Sequence, residues 1–446
     1  MFILTNDYTE VTPQIIDDMI KYNGFMIAKY STLEQYYRGE HAILQRFKND
    51  TLKNNKLVIN HASYIVDTAT GYLLGNPVDY VSDYEISEVL ECYKQQTIND
   101  LDTEIAKNSS IYGIQHEYVY ADEKAQPRSS KIDNRNCVLA YDNTLDHKKV
   151  FGIIYRGIGK QVPIGQYGIY TGLMNDWTVD YYDVIYLDDN YIVHYKYKNK
   201  ILTELDRSEH NFGKTPLIKY RNNPEEVGDF EKVLSLIDAY NILQSDRIND
   251  KEQLVDAILC MYDFDFTAEQ LELLKSSRVL ASIPKDGRVE YLTKVLHEAD
   301  MDILRNNLEQ DIHKISMIPN MSDEKFSGNS SGVALRFKLL PFEQFTKNKE
   351  RYFEKGLMER FELYNNFLST ASRMQTIPIY EVDAVFKRNL PTNDFETSNM
   401  IKNLQGIIDN EMLISQLSFV KDASDVIQKT KDSKENVEKI QEAEVI

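Results

Sequence analysis

Apolar residues in the first seventy-five positions recur at helical spacing. Ile15, Ile16, Met19 and Ile20 form a stripe after Thr12-Pro13, a capping residue followed by proline at the first helical position. In "STLEQYYRGEHAILQRF", Ser31 or Thr32 could cap a second helix, and Gly39 marks an end or a bend. "INHASYIVDTATGYLLGNPVDY" predicts a helix closing at Gly71 or Gly75, broken by Asn76-Pro77. One more helix is expected from Ser87 to Asn108. The rhythm changes between Tyr112 and Tyr220, where Tyr, Val and Ile dominate. "VDYYDVIYLDDNYIVHYKYK" predicts a hairpin turning at Asp188-Asp189-Asn190, with tyrosines half-buried on a mixed β region.

Helical spacing returns with Phe230, Val233, Leu234, Ile237 and Tyr240 and runs through the polar "QSDRINDKEQ" to Ile258. An unbroken helix over that stretch would be roughly 45 Å long. A small insert follows, with "FTAEQLELLKSS" helical and "RVLASIP" and "RVEYLTKV" strand-like around Asp286-Gly287. A second helix carries Met301, Leu304, Leu308, Ile312 and Ile315 on one face. The polar loop "PNMSDEKFSGNSSG" leads into a very long helical pattern whose Pro341 predicts a kink. Its stripe continues through Phe353, Leu357, Phe361, Tyr364 and Leu368. "YEVDAVFKR" reads as a strand, and the tail from Asp394 as helices ending in alternating charges. The expected class is α+β.

Composition narrows the function. The 446 residues carry a net charge of -19, which argues against a surface that grips nucleic acid throughout. A negative wall along which phosphates slide without sticking remains compatible. Cys92, Cys137 and Cys260 are odd in number and far apart, so neither a disulfide framework nor a zinc site is expected, and a reducing compartment fits. No apolar run reaches membrane-spanning length, and "MFILTNDYTE" lacks the features of a signal peptide.

The motif search yields one match to catalysis. Gly328-Asn329-Ser330-Ser331-Gly332 fits G-x-S-x-G, so a serine hydrolase using Ser330 is the rival reading. A nucleophile elbow needs a buried strand before the serine, whereas "NMSDEKF" is polar. The last histidine, His313, also precedes Ser330, against the chain order of that fold. His41 and His61 have no partners at metal-ligand spacing, and Asp188 and Asp189 are turn residues. No enzyme, cofactor or metal is expected. Between Gly332 and Arg360 stand seven basic residues (Arg336, Lys338, Lys347, Lys349, Arg351, Lys355, Arg360) against four acidic ones. That stretch is either a solvated helix face or a phosphate-facing surface, with Arg336, Lys338, Lys347 and Lys349 its candidate contacts.

Four segments carry a resemblance: "YYRGEHAILQR", "NHASYIVDTATGYLLGNPVDY", "FGKTPLIKYRNNPEEVGDFEKVLSLIDAYNILQSD" and "SMIPNMSDEKFSGNSSGVALRFKLLPFE". In this order they resemble the portal proteins of tailed bacteriophages, of the long-tailed siphovirus type. Another ring or adaptor protein of the same virion is the second alternative, but adaptors are much shorter and lack the stem-clip-stem order. The resemblance implies a ring of about twelve copies at one capsid vertex, enclosing a channel for double-stranded DNA. It implies a wing (1–228), two stem helices (229–258 and 296–317) and a clip between them (259–295). It further implies a tunnel loop (318–331), a kinked wing helix with a return strand (332–393) and a helical crown (394–446). Asn320, Ser322, Lys325, Ser327, Asn329, Ser330 and Ser331 would then line the channel. Glu269, Glu272, Lys285, Asp286 and Arg288 would dock the terminase motor during packaging and head-completion proteins afterwards. The resemblance also implies capsid and scaffolding proteins as partners, no membrane, a place in the virion at the capsid vertex, and assembly in the host cytoplasm. ATP hydrolysis would belong to the terminase.

Overall fold

The computed structural model describes residues 1–4, 11–49, 53–159, 179–255, 258–262, 267, 269, 288–292, 298–321, 332–371, 373–388, 394–414 and six positions between 417 and 430. Contacts divide the chain into a larger unit, residues 1–321 and 340–387, and a smaller one, residues 322–339 and 388–446.

In the larger unit, α1 (Pro13–Arg38) is a single helix of 26 residues. Thr12 caps it by accepting the Ile15 amide, and Gly39 ends it at φ 84°. Ser31 and Thr32 therefore start no second helix. Thr32 lies inside α1, and its hydroxyl bonds back to the Ala28 carbonyl, satisfying the side chain within the helix. α2 (His61–Leu74) is capped by Asn60 and closes at Gly75, the later of the two expected positions. The single helix expected over Ser87–Asn108 is two, α3 (Ser87–Gln95) and α4 (Ile98–Tyr112). Thr97 separates them in the left-handed region at φ 50°, a conformation a helix interior does not tolerate.

A six-stranded sheet runs in the order β1 (Phe2–Ile3), β5 (Cys137–Tyr141), β6 (Lys149–Gly159), β7 (Val179–Leu187), β8 (Tyr191–Lys198), β9 (Ile201–Glu209). β1 joins β5 in parallel, and the other neighbours are antiparallel. The β7–β8 hairpin turns where expected: the Asp188 carboxylate accepts the amides of Asn190 and Tyr191. Three further strands, β3 (Ile114–Ala121), β4 (Pro127–Ile132) and β10 (Leu217–Arg221), form an antiparallel sheet in the order β10-β3-β4. The strand expected within "YEVDAVFKR" is β13 (Val382–Val385), and its partner is β2 (Asp79–Ser82).

α5 (Leu234–Val255) and α6 (Glu298–Ser316) flank the antiparallel hairpin β11 (Ile258–Tyr262) and β12 (Arg288–Leu292). The strand expected in "RVLASIP" lies outside the described residues. α7 (Gly332–Thr370) is one helix of 39 residues that does not stop at Pro341. α8 (Asp394–Leu404) and α9 (Asn410–Ile414) belong to the smaller unit.

Among the described residues, two of the apolar clusters in the larger unit seat α1 and α7. Ile15, Ile16 and Met19 of α1 pack on Val138, Phe151, Ile153 and Val184 of the large sheet. The second core centres on Phe353, Leu357, Phe361, Tyr364 and Leu368 of α7, against Leu73, Val89, Ile105, Ile218 and Tyr220. Gly356 makes that approach feasible, because a Cβ there would stand 2.4 Å from the Tyr220 ring.

Candidate channel elements and their supports

Of the polar stretch 319–332, the described residues are 319–321 and Gly332. At the end of α6, Met317 takes φ 60° and turns the chain out of the helix. His313 Nδ1 donates to the Ile318 carbonyl at 2.9 Å. Tyr64 Oη donates to the Pro319 carbonyl at 3.0 Å and accepts the Met321 amide at 2.8 Å. Asn320 donates to Glu309 Oε1 at 2.8 Å. His61 and Tyr64, one turn apart on α2, both meet the His313 ring edge-on, and His61 also meets Tyr240 of α5. Burial, with His313 and His41 nearby, pushes the His61 pKa down to about 4. The ring is therefore neutral near pH 7.

α5 is positioned by a polar ladder. Asn241, Ser245 and Asn249 are buried at four-residue spacing. Their side-chain oxygens accept the amides of Ile59 (2.9 Å), Leu57 (3.0 Å) and Asn55 (2.8 Å). Four helical residues rise about 6 Å, and two extended residues advance about 6.6 Å, so alternate amides of the incoming chain meet successive turns of one helix face. His41 extends the ladder: its Nε2 donates to the Tyr36 carbonyl, and its Nδ1 accepts from Asn241. The polar run inside "NILQSDRIND" is thus a binding face for the 53–60 segment.

Two charge clusters lie inside the larger unit. Arg360 is fully buried and donates to Asp102 at 2.6 Å and to Glu117 at 2.7 and 3.0 Å, while Tyr220 donates to Glu117 at 2.6 Å. Burial raises Asp102 to about 6 despite the neighbouring guanidinium. Lys349 is buried 2.6 Å from Asp229 and also donates to Ser110, and Asn222 donates to the other Asp229 oxygen at 2.7 Å.

These geometries correct part of the basic-face expectation. Lys349 points inward and cannot face phosphate, because a neighbouring buried carboxylate holds it; Arg360 is likewise internal. Lys338 and Lys347 are exposed on α7, and Arg336 lies within the helix. Asn320 is half-buried at the loop root. Ser322, Lys325, Ser327, Asn329, Ser330 and Ser331 lie outside the described residues, as do Glu272, Lys285 and Asp286. Glu269 is exposed, and Arg288 opens β12 opposite Tyr262. No helix among the described residues is long and apolar enough to cross a membrane.

The family model "Phage portal protein, SPP1 Gp6-like" matches residues 20–442. The chain belongs to this phage portal family. It is 25% identical over 393 residues to the portal protein of Bacillus phage SPP1, covering 85% of this chain and 76% of that one. It is 23% identical over 223 residues to the portal protein of Clostridium phage phiCD119, covering 49% and 48% of the two chains. The family is a structural one, and the match spans α5, α6, the β11–β12 hairpin between them and the polar segment that follows α6 in the sequence.

The sequence reading missed Tyr64, the ladder and the buried cations. Lys349 and Arg360 did carry a signal, since they fall on the stripe of Phe342, Phe353, Leu357, Tyr364 and Leu368. A cation at such a position faces the core and needs a carboxylate there. Nothing in the local pattern around Tyr64 distinguishes it from the other tyrosines.

Proposed function

We propose that this chain is the ring-forming portal subunit at one vertex of a tailed-phage capsid, and that DNA is packaged and ejected through the hole of its ring. The observation that carries the reading is the family match over residues 20–442, coinciding with two long helices, α5 and α6, that flank a small β-hairpin. In this reading α5 and α6 are the stem, and the β11–β12 region is the clip that docks the terminase motor and then head-completion proteins. Residues 318–331 are the loop that borders the channel, and α8 and α9 belong to the crown. Residues 1–228 and most of α7 form the wing.

A conduit for DNA of any sequence should hold phosphate weakly and read no bases. The net charge of -19 and the small polar residues from Ser327 to Ser331 suit that task. Arg336, Lys338 and Lys347 remain the candidate phosphate-facing cations of α7, and Glu269, Glu272, Lys285, Asp286 and Arg288 the candidate docking residues of the clip. The subunit contributes structure, while nucleotide hydrolysis belongs to the motor it docks.

The test is electron microscopy and native mass measurement of the purified protein. Rings of about a dozen copies with a central hole are expected of cyclic closure. A monodisperse monomer under all assembly conditions would overturn the reading.

A further inference from the structure

We propose that Tyr64 is a positioning residue that sets the direction in which the chain leaves α6 toward the channel loop. The proposal rests on the portal reading above. Each residue from Ile318 to Met321 has a hydrogen bond at this turn: the Ile318 carbonyl from His313, the Pro319 carbonyl from Tyr64, the Asn320 side chain to Glu309, and the Met321 amide to Tyr64. His313 and Glu309 belong to α6 itself. If α6 rotated or slid, those two bonds would travel with it and would not define where the chain points. Tyr64 belongs to α2, 255 residues earlier than Pro319. Its single oxygen bonds on both sides of Asn320, so it clasps the backbone to a different helix.

The phenol is itself well held. Its ring stands at 89° to His313 with centroids 5.6 Å apart, and α2 is fixed one turn earlier by His61 against Tyr240 and His313. A neutral hydroxyl suits the place, because it satisfies a backbone donor and acceptor without putting a fixed charge beside a DNA path. Met317 in the left-handed region has already ended the helix, so the two Tyr64 bonds act where the backbone has no helical partner.

Tyr64→Phe removes the oxygen and keeps the ring. Two quantities are measured in the assembled protein, or in whichever oligomer the variant forms: hydrogen exchange at the Met321 amide and the amount of DNA packaged into heads. Loss of the amide's acceptor should speed Met321 exchange about tenfold, the equivalent of one net hydrogen bond. The Leu308 amide within α6 should be unchanged, and packaged DNA should fall several-fold with ring formation intact. His313→Phe, which removes a bond from α6 to the turn that directly follows it, should reduce packaging less. Tyr37→Phe, which loses an exposed bond to Asp67 and a contact with Lys107, should change neither quantity.

Unchanged Met321 exchange in Tyr64→Phe overturns the proposal, as does an equal packaging loss in His313→Phe. A chain lacking residues 323–330 separates the two levels. If that deletion packages normally, the channel-loop reading fails. If it blocks packaging while Tyr64→Phe packages like the parent, only the positioning role fails.

Discussion

Arg360 and Asp102 meet at 2.6 Å in the interior of the larger unit, with Glu117 on the other side of the guanidinium. Two carboxylates surround one cation, and burial drives Asp102 to about 6. The two acids are bonded unequally. Glu117 accepts two Arg360 bonds and one from Tyr220, whereas Asp102 accepts one from Arg360. Removing the cation strands both acids. Arg360→Met should cost about 3–5 kcal/mol, the range for breaking a buried ion pair from one side. Asp102→Asn leaves Arg360 paired with Glu117 and should cost much less. Denaturant melts of the two variants check the order, and equal losses would contradict it.

Lys349 and Lys347 stand two residues apart on α7 and should behave oppositely. Lys349→Ala leaves Asp229 buried with only Asn222 as its polar partner, so a loss of about 3 kcal/mol or more is expected. Lys347 is exposed, and Lys347→Ala should stay within about 0.5 kcal/mol of the parent. If Lys347→Glu slows packaging without lowering the melting temperature, the exposed position carries the phosphate contact that Lys349 cannot.

The ladder on α5 gives a graded prediction. Asn241 both accepts the Ile59 amide and donates to His41, while Ser245 accepts the Leu57 amide and donates to the Asn241 carbonyl. Asn241→Leu strands the Ile59 amide and the His41 ring nitrogen, each at about 1–3 kcal/mol. Ser245→Ala strands one amide and should cost about half as much. Limited proteolysis within residues 53–60 should accelerate in the same order, because the segment depends on these bonds for its seat.

Most helices were legible because an apolar stripe at 3.6-residue spacing survives any environment. Thr12, Gly39 and the Asp188 turn were legible because capping and turn chemistry is local. The break at Thr97 was not, since the residues around it continue a helical pattern and only the backbone angle reveals the turn. Pro341 predicted a kink, and the continuity of α7 through it was not legible, because the apolar stripe that holds the helix together, with Phe342 and Leu357 buried beyond the proline, depends on distant partners. Polar residues were the least legible part. Asn241, Ser245 and Asn249 carry no local sign of burial because their partners lie about 190 residues earlier, and Tyr64 reads as one tyrosine among thirty. Bonds over such separations leave no period in the sequence.

Acid should weaken the larger unit through two histidines. His61 and His116 are both pushed down to about 4, chiefly by burial, with His313 and His41 contributing to the first and Lys219 to the second. An unfolded histidine titrates near 6.5, so between about 6.5 and 4 the unfolded chain binds more protons than the fold. Stability is full above about 6.5 and falls as the pH drops through that window. Asp102 works in the opposite direction. Its folded value near 6 lies above the ordinary 3.8, so its contribution is full below 3.8 and is lost as the pH rises toward 6. The parent's melting temperature should thus fall from pH 6.5 to 4.5, with Asp102 partly offsetting the histidines. His61→Phe keeps an aromatic ring beside Tyr240 and removes the buried ring nitrogen that has no hydrogen-bond partner, so its acid loss should be shallower. Asp102→Asn abolishes the offset and should make the loss steeper than the parent's. Melting curves at half-unit pH steps decide the matter, and identical slopes for the parent and His61→Phe would show that His61 is not held neutral by the fold.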